Sequence, residues 1–162
     1  MWKKLLGTLW RGAPGGVRRW GVLLAEPRFM VTVGAVVLRD DGRVLLLQHE
    51  FRAGSGWGIP GGFLEAGEQP LEGLRRELRE EIGLEIDAAE LVSVRTLSRP
   101  RQVEIHFRCR AARAGAAGAH PQSIEINRVG WFDAGALPPE LSADQRRLIA
   151  GLLAAGGTKR AD

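Results

Sequence analysis

Cysteine is almost missing from this chain: Cys109 is the only one among 162 residues. A single thiol excludes an internal disulfide and a thiolate metal centre. Flanked by alternating residues, it reads as a small buried strand residue, and a reducing cytoplasm is the simplest expectation for its surroundings. Long apolar runs are also lacking. None approaches the roughly 20 residues needed to cross a bilayer. His49, His106 and His120 have no metal-ligand spacing among themselves, so ordinary core or loop roles are expected for them. No internal repeat or linker points to a second catalytic domain, and the length suits one domain with a sizeable core.

Acidic residues are scarce at the start of the chain. Residues 1–30 carry Lys3, Lys4, Arg11, Arg18, Arg19 and Arg28 against Glu26 alone, a net +5. The remainder holds 17 basic and 18 acidic groups, a net −1. The high isoelectric point therefore belongs to an N-terminal arm, residues 1–28. There Trp2, Leu5, Leu6, Leu9 and Trp10 fall at helical spacing among basic residues, which predicts a short amphipathic helix. It could dock on its own domain or on a second subunit as a homodimer contact. A nucleic-acid or anionic-lipid surface is the alternative, and disorder a third reading. The segment resembles the start of a signal peptide, but glycine, proline and arginine interrupt it before an adequate apolar region forms.

Beyond the arm, residues 29–157 read as one α/β domain, followed by a tail at 158–162. Val31–Leu38 and Val44–Leu47 flank Asp40-Asp41-Gly42, the pattern of a hairpin with an Asp-Gly turn. Further strands are expected near Glu90–Leu97, Gln102–Ala111 and Ile124–Phe132. Ala111–His120 reads as a loop. A last helix, capped by Ser142, runs to about Leu153.

The most informative segment is Arg76-Glu77-Leu78-Arg79-Glu80-Glu81-Ile82-Gly83-Leu84. Glu77, Glu80 and Glu81 stand at i, i+3 and i+4 and share one helical face. Leu71, Leu74, Leu78 and Ile82 form an apolar stripe beside it. Such carboxylates repel one another unless something neutralises them, and a hard divalent cation prefers oxygen ligands of this kind. A solvated acidic face is the plainer alternative. Before the helix, Trp57–Pro70 reads as a loop in which Gly61 and Gly62 permit close approach of a ligand. Pro70 suits the first helical position and Gly83 the end. Glu68 is positioned to reach back to the same place.

Gly62, Glu68 and the run from Arg76 to Leu84 match the complete Nudix box at residues 62–84, so the chain resembles the MutT-like Nudix hydrolase family. The strand pattern extends this likeness to roughly 29–155. The resemblance implies an α/β/α sandwich with a mixed central sheet. It implies cleavage of a diphosphate bond in a nucleoside diphosphate linked to some group X, with Mg²⁺ or Mn²⁺. By the same resemblance Glu77, Glu80 and Glu81, joined by the Gly62 carbonyl, hold metal, and Glu81 is the first choice for activating water. Arg76 and Glu68 are the supporting ion pair that fixes the carboxylates, a task suited to a planar, permanently charged guanidinium. Glu125, before Trp131-Phe132, could complete the metal site or act as base. Arg52 and Gln48 lie where relatives bind nucleotide. Pro100, sixteen residues after Leu84, resembles a marker of ADP-ribose pyrophosphatases, although the generic Trp57–Gly62 segment departs from that subfamily and a turn role suits Pro100 equally. ADP-ribose or a nucleotide sugar is the leading substrate expectation. Damaged triphosphates, RNA cap-like 5′ ends and a non-catalytic nucleotide-binding module are the alternatives.

Overall fold

The computed structural model describes residues 2–116 and 118–155, so the tail expected at 158–162 and the last two residues of the expected domain lie outside them. The chain divides into two compact units, with the division between Met30 and Val31.

In the first unit the expected single helix is two: α1, Trp2–Gly12, and α2, Gly15–Ala25. Pro14 separates them, and its carbonyl accepts the Arg18 N–H at 3.1 Å, opening α2. Proline is well placed there because it lacks a donor and cannot continue α1. The indole of Trp10 lies where a side chain on Gly21 would be, with Cη2 2.6 Å from an ideal Cβ. Glycine at that point lets the two helices of the hairpin close on each other.

The second unit is built on a seven-stranded mixed sheet, with β1 Met30–Leu38, β2 Val44–His49, β3 Trp57–Gly58, β4 Gly61–Phe63, β5 Ile86–Leu97, β6 Gln102–Ala111 and β7 Ile126–Phe132. The main order is β3-β2-β1-β6-β5; β4 pairs with β1 and β7 with β2. Because strand side chains alternate between faces, β1 and β2 feed two cores. Val33, Ala35, Val37, Leu45 and Leu47 face one side, where Leu74, Leu78 and Ile82 of α3 (Pro70–Ile82) complete the packing. Val36, Val44 and Leu46 face the other, against Leu141 and against Ile149 and Leu152 of the last helix. This explains why both strands read as continuous apolar runs: each is covered on both faces.

Three further local differences from expectation have simple causes. The segment before α3 is not all loop, since β3 and β4 pair with β2 and β1; strands of two and three residues are too short to show a period. Residues 113–116 of the Ala/Gly-rich stretch form one helical turn, α4 (Arg113–Ala116). The last strand begins at Ile126 rather than Ile124, because residues 123–126 form a turn in which the Ser123 carbonyl accepts the Ile126 N–H at 3.1 Å. The final helix, α5, spans Ala143–Ala155, with the Ser142 hydroxyl accepting the Gln145 N–H at 3.2 Å.

Helix α3 is fixed at both ends. The Glu72 carboxylate accepts the Gln69 N–H at 3.3 Å. Gly83 adopts φ 67° and donates to the Arg79 carbonyl at 2.9 Å, ending the helix in the left-handed conformation that glycine tolerates best. Leu78→Ala should therefore lower stability by about 2–5 kcal/mol in urea unfolding, because a fully buried side chain leaves a cavity between helix and sheet. Leu91→Ala, at a side chain 56% exposed, should stay within about 0.5 kcal/mol.

Candidate active site

The acidic residues of α3 are organised by one guanidinium. Arg76 donates Nε to Glu68 Oε1 at 2.9 Å and Nη2 to Glu68 Oε2 at 3.0 Å, a two-pronged ion pair. Nη1 reaches Glu77 Oε1 at 3.0 Å and Glu80 Oε2 at 3.2 Å. Nη2 also donates to the Phe63 carbonyl at 3.0 Å, tying the helix to β4. These bonds drive the Arg76 pKa further above its ordinary value, the Glu68 pair contributing most. Glu68 is correspondingly held below the usual carboxylate range by Arg76 and by the Glu65 N–H.

Glu81 is different. It is only 7% exposed, and Oε2 has no hydrogen-bond partner among the described residues. Burial, reinforced by the nearby Glu77 charge, pushes its pKa up to about 8, against opposing pulls from the Gly61 N–H and Arg52. Glu77 also moves up, chiefly through burial, while Arg76 pulls it down. His49, at the end of β2, places Nδ1 3.8 Å from Glu81 Oε1. Its own pKa falls to about 4 through burial and the Arg52 charge. The imidazole is therefore neutral at pH 7 and offers Glu81 no charge, which leaves Arg52 as the cation that opposes the rise.

Gly61 and Gly62 bring the backbone against this cluster. Gly61 pairs with Gly34 of β1 at φ 141°, and a Cβ there would lie 2.6 Å from the Gly34 Cα. A Cβ on Gly62 would overlap the Glu77 carboxylate, with Oε2 2.7 Å away. At Gly61 a side chain would meet backbone, and at Gly62 it would displace the Glu77 carboxylate, so both positions let the backbone approach the acids closely. Gly62, Arg76, Glu77, Glu80 and Glu81 line one cavity of about 660 Å³, together with Arg52 and Glu125. The donor set is entirely hard oxygen, with an unsatisfied buried carboxylate oxygen, and it suits Mg²⁺ or Mn²⁺. As the side chains stand, Arg76 engages Glu77 and Glu80, and no three acidic, imidazole or thiol groups among the described residues converge tightly enough to chelate an ion.

Three residues singled out in the sequence lie elsewhere. Glu68 is not on the cavity wall; it stands behind Arg76. The Gln48 amide donates to the Ser55 carbonyl at 3.0 Å and so braces the turn after β2. Pro100 is exposed in the turn between β5 and β6 and lines neither this cavity nor its neighbour. Other residues were missed. His49, Phe51 and Phe63 all reach the first cavity, and the two phenylalanines are largely exposed. A second cavity, about 240 Å³, shares Arg52, Gly61, Gly62 and Phe63 with the first and adds Gln102, Glu104 and His106. Those three stand at alternate positions of β6, so a polar stripe on one strand face was the available signal.

The NUDIX domain family model matches residues 28–152. A MutT-like protein of Streptomyces ambofaciens is 37% identical over 109 residues, covering 67% of this chain and 66% of that protein. An RNA pyrophosphohydrolase of Halorhodospira halophila is 46% identical over 87 residues, covering 52% of this chain and 46% of that protein. The chain thus spans about half to two thirds of the length of these curated relatives. The crystal structure of a NUDIX hydrolase from Nitrosomonas europaea superposes with a TM-score of 0.70 at 24% identity, covering 84% of this chain and 77% of that one, which shows the shared α/β/α fold. With the family model matched over residues 28–152 and Gly62, Arg76, Glu77, Glu80 and Glu81 of the box lining one cavity, this chain belongs to the Nudix family.

Proposed function

We propose that this protein is a divalent-metal-dependent hydrolase of a diphosphate bond in a nucleoside diphosphate linked to X, with ADP-ribose or a nucleotide sugar as the leading substrate class. The observation that carries the reading is the buried, unsatisfied Glu81 carboxylate beside Glu77, inside a cavity large enough for a diphosphate. Mg²⁺ or Mn²⁺ would be held by Glu77, Glu80, Glu81 and the Gly62 carbonyl, and when bound it neutralises phosphate charge and acidifies water. The chain's own groups do the rest. Glu81 takes the proton of the attacking water as the phosphorus–oxygen bond to the leaving phosphate breaks. Glu125, which also lines the cavity, is the second candidate for that proton. Arg76 positions the carboxylates and Arg52 binds phosphate oxygens. The neighbouring polar cavity gives a compact, hydroxyl-rich X or a base a place beside the diphosphate.

A second reading, release of pyrophosphate from a triphosphate or an RNA 5′ end, is supported by the likeness to an RNA pyrophosphohydrolase. Mass-spectrometric product analysis with Mg²⁺, offering ADP-ribose, nucleotide sugars, oxidised triphosphates and 5′-triphosphate RNA, separates the two. Cleavage of the first pair supports the leading reading, and exclusive cleavage of the others overturns it. Binding of all of them with turnover of none would make the protein a non-catalytic nucleotide-binding module.

Glu81→Gln should reduce turnover by about 10²–10⁴-fold, the range typical of a lost general base. The same variant should stabilise the metal-free protein in alkali. Glu81 has a folded pKa raised to about 8, so its contribution is intact in acid and is lost as pH rises through 8. Gln carries no charge to bury, so thermal melts of the two proteins should diverge between pH 5 and pH 9 in favour of the variant. Arg76→Lys should cost on the order of 10–100-fold in kcat despite the retained charge, because an ammonium cannot span Glu68, Glu77 and Glu80 at once.

A further inference from the structure

The N-terminal hairpin carries a surface that hydrolysis does not use. On α2, Val17, Trp20 and Leu24 are spaced i, i+3 and i+7 and lie along one face. All three are exposed, Trp20 by 64% and Leu24 by 79%. On α1, Trp2 is 80% exposed, and Trp10 keeps nearly half its surface in solvent while its ring covers Gly21 of α2. By helix geometry the exposed Arg18 and Arg19 flank the apolar stripe of α2, one on each side, and Arg11 is exposed at the end of α1. From residue 1 to residue 25 there are five basic residues and no acidic one.

Isolated apolar side chains on a surface are ordinary, but three exposed tryptophans with Val17 and Leu24 on one short hairpin are not. Each helix has 11 residues, and neither is long and apolar enough to cross a bilayer. Short helices with an aromatic and aliphatic face beside a purely basic one lie in the plane of a lipid interface. There indoles settle at headgroup depth, and lysine and arginine are drawn to anionic headgroups.

We propose that the hairpin of α1 and α2 is a docking surface for an anionic lipid bilayer, through Trp2, Val17, Trp20 and Leu24 with Arg11, Arg18 and Arg19 at its edge. A second copy of the chain is a poorer occupant, because a two-fold contact would set +5 against +5. Nucleic acid would satisfy the arginines and leave the apolar stripe in water. The inference does not depend on the hydrolase reading, since the arm contributes no residue to the cavity.

The test uses the full chain and vesicles of phosphatidylcholine with or without about a third phosphatidylglycerol. Co-sedimentation should be strong on the anionic vesicles and weak on the neutral ones, should weaken in high salt, and should shift tryptophan emission to the blue. Replacing Arg18 and Arg19 by alanine should weaken partitioning on the order of tenfold. Trp20→Ala should weaken it by several-fold, and both variants should hydrolyse soluble substrate like the parent. Absence of binding to anionic vesicles overturns the proposal. So does unchanged binding by both variants, which would place the contact outside α2. Light scattering that shows a dimer lost in Trp20→Ala, without lipid binding, would assign the surface to a second copy instead.

Discussion

Everything at this site depends on one arginine among four carboxylates. Arg76 is bonded to Glu68, Glu77 and Glu80 and to the Phe63 carbonyl, so it joins the box helix to the strand that presents Gly61 and Gly62. It partly offsets the repulsion created by placing acids one turn apart. It does not reach Glu81, which stays buried with one oxygen unsatisfied. Burying an acid whose charge is only partly compensated is costly in a low-dielectric setting, and the group answers by holding its proton; this imbalance is the observation behind the role proposed for Glu81. A bound cation would invert the local balance by favouring the ionised carboxylate that metal-free burial disfavours.

The fold serves this imbalance by rigidity. Leu74, Leu78 and Ile82 are fully buried against β1 and β2, so the acidic face of α3 is presented at a fixed height above the sheet. The close-approach glycines bring backbone directly against the acids without adding side chains that would fill the cavity. Stability and reactivity thus come from two faces of the same helix. The apolar face stabilises the packing, and the acidic face holds charge that the packing forces into proximity.

Much of this was legible in the sequence because the signals are local. The i, i+3, i+4 spacing of the acids, Pro70 at the helix start and Gly83 at its end all act within a turn or two of chain. The hairpin of β1 and β2 was legible for the same reason. What escaped detection was non-local. Gly61–Phe63 becomes a strand only because β1 lies beside it, and His49 approaches Glu81 only after β2 and α3 pack. Gln48 was read as a nucleotide contact, yet its amide is engaged by the Ser55 carbonyl within the same turn. The arm's second helix was overlooked because Gly15 and Gly16 at its start argue against a helix by propensity. The second cavity draws on β1, β6 and α5 together, and no window of sequence contains it.

The central claim is that the carboxylate cluster delivers water to a phosphorus atom. Turnover of ADP-ribose in ¹⁸O-labelled water with Mg²⁺, read by mass spectrometry, tests it most directly. One labelled oxygen per turnover is expected, in a single phosphomonoester product, with labelling abolished when the metal is chelated. Nucleotide bound at saturation with no label in any product, from ADP-ribose or from any diphosphate-linked nucleoside, would contradict it.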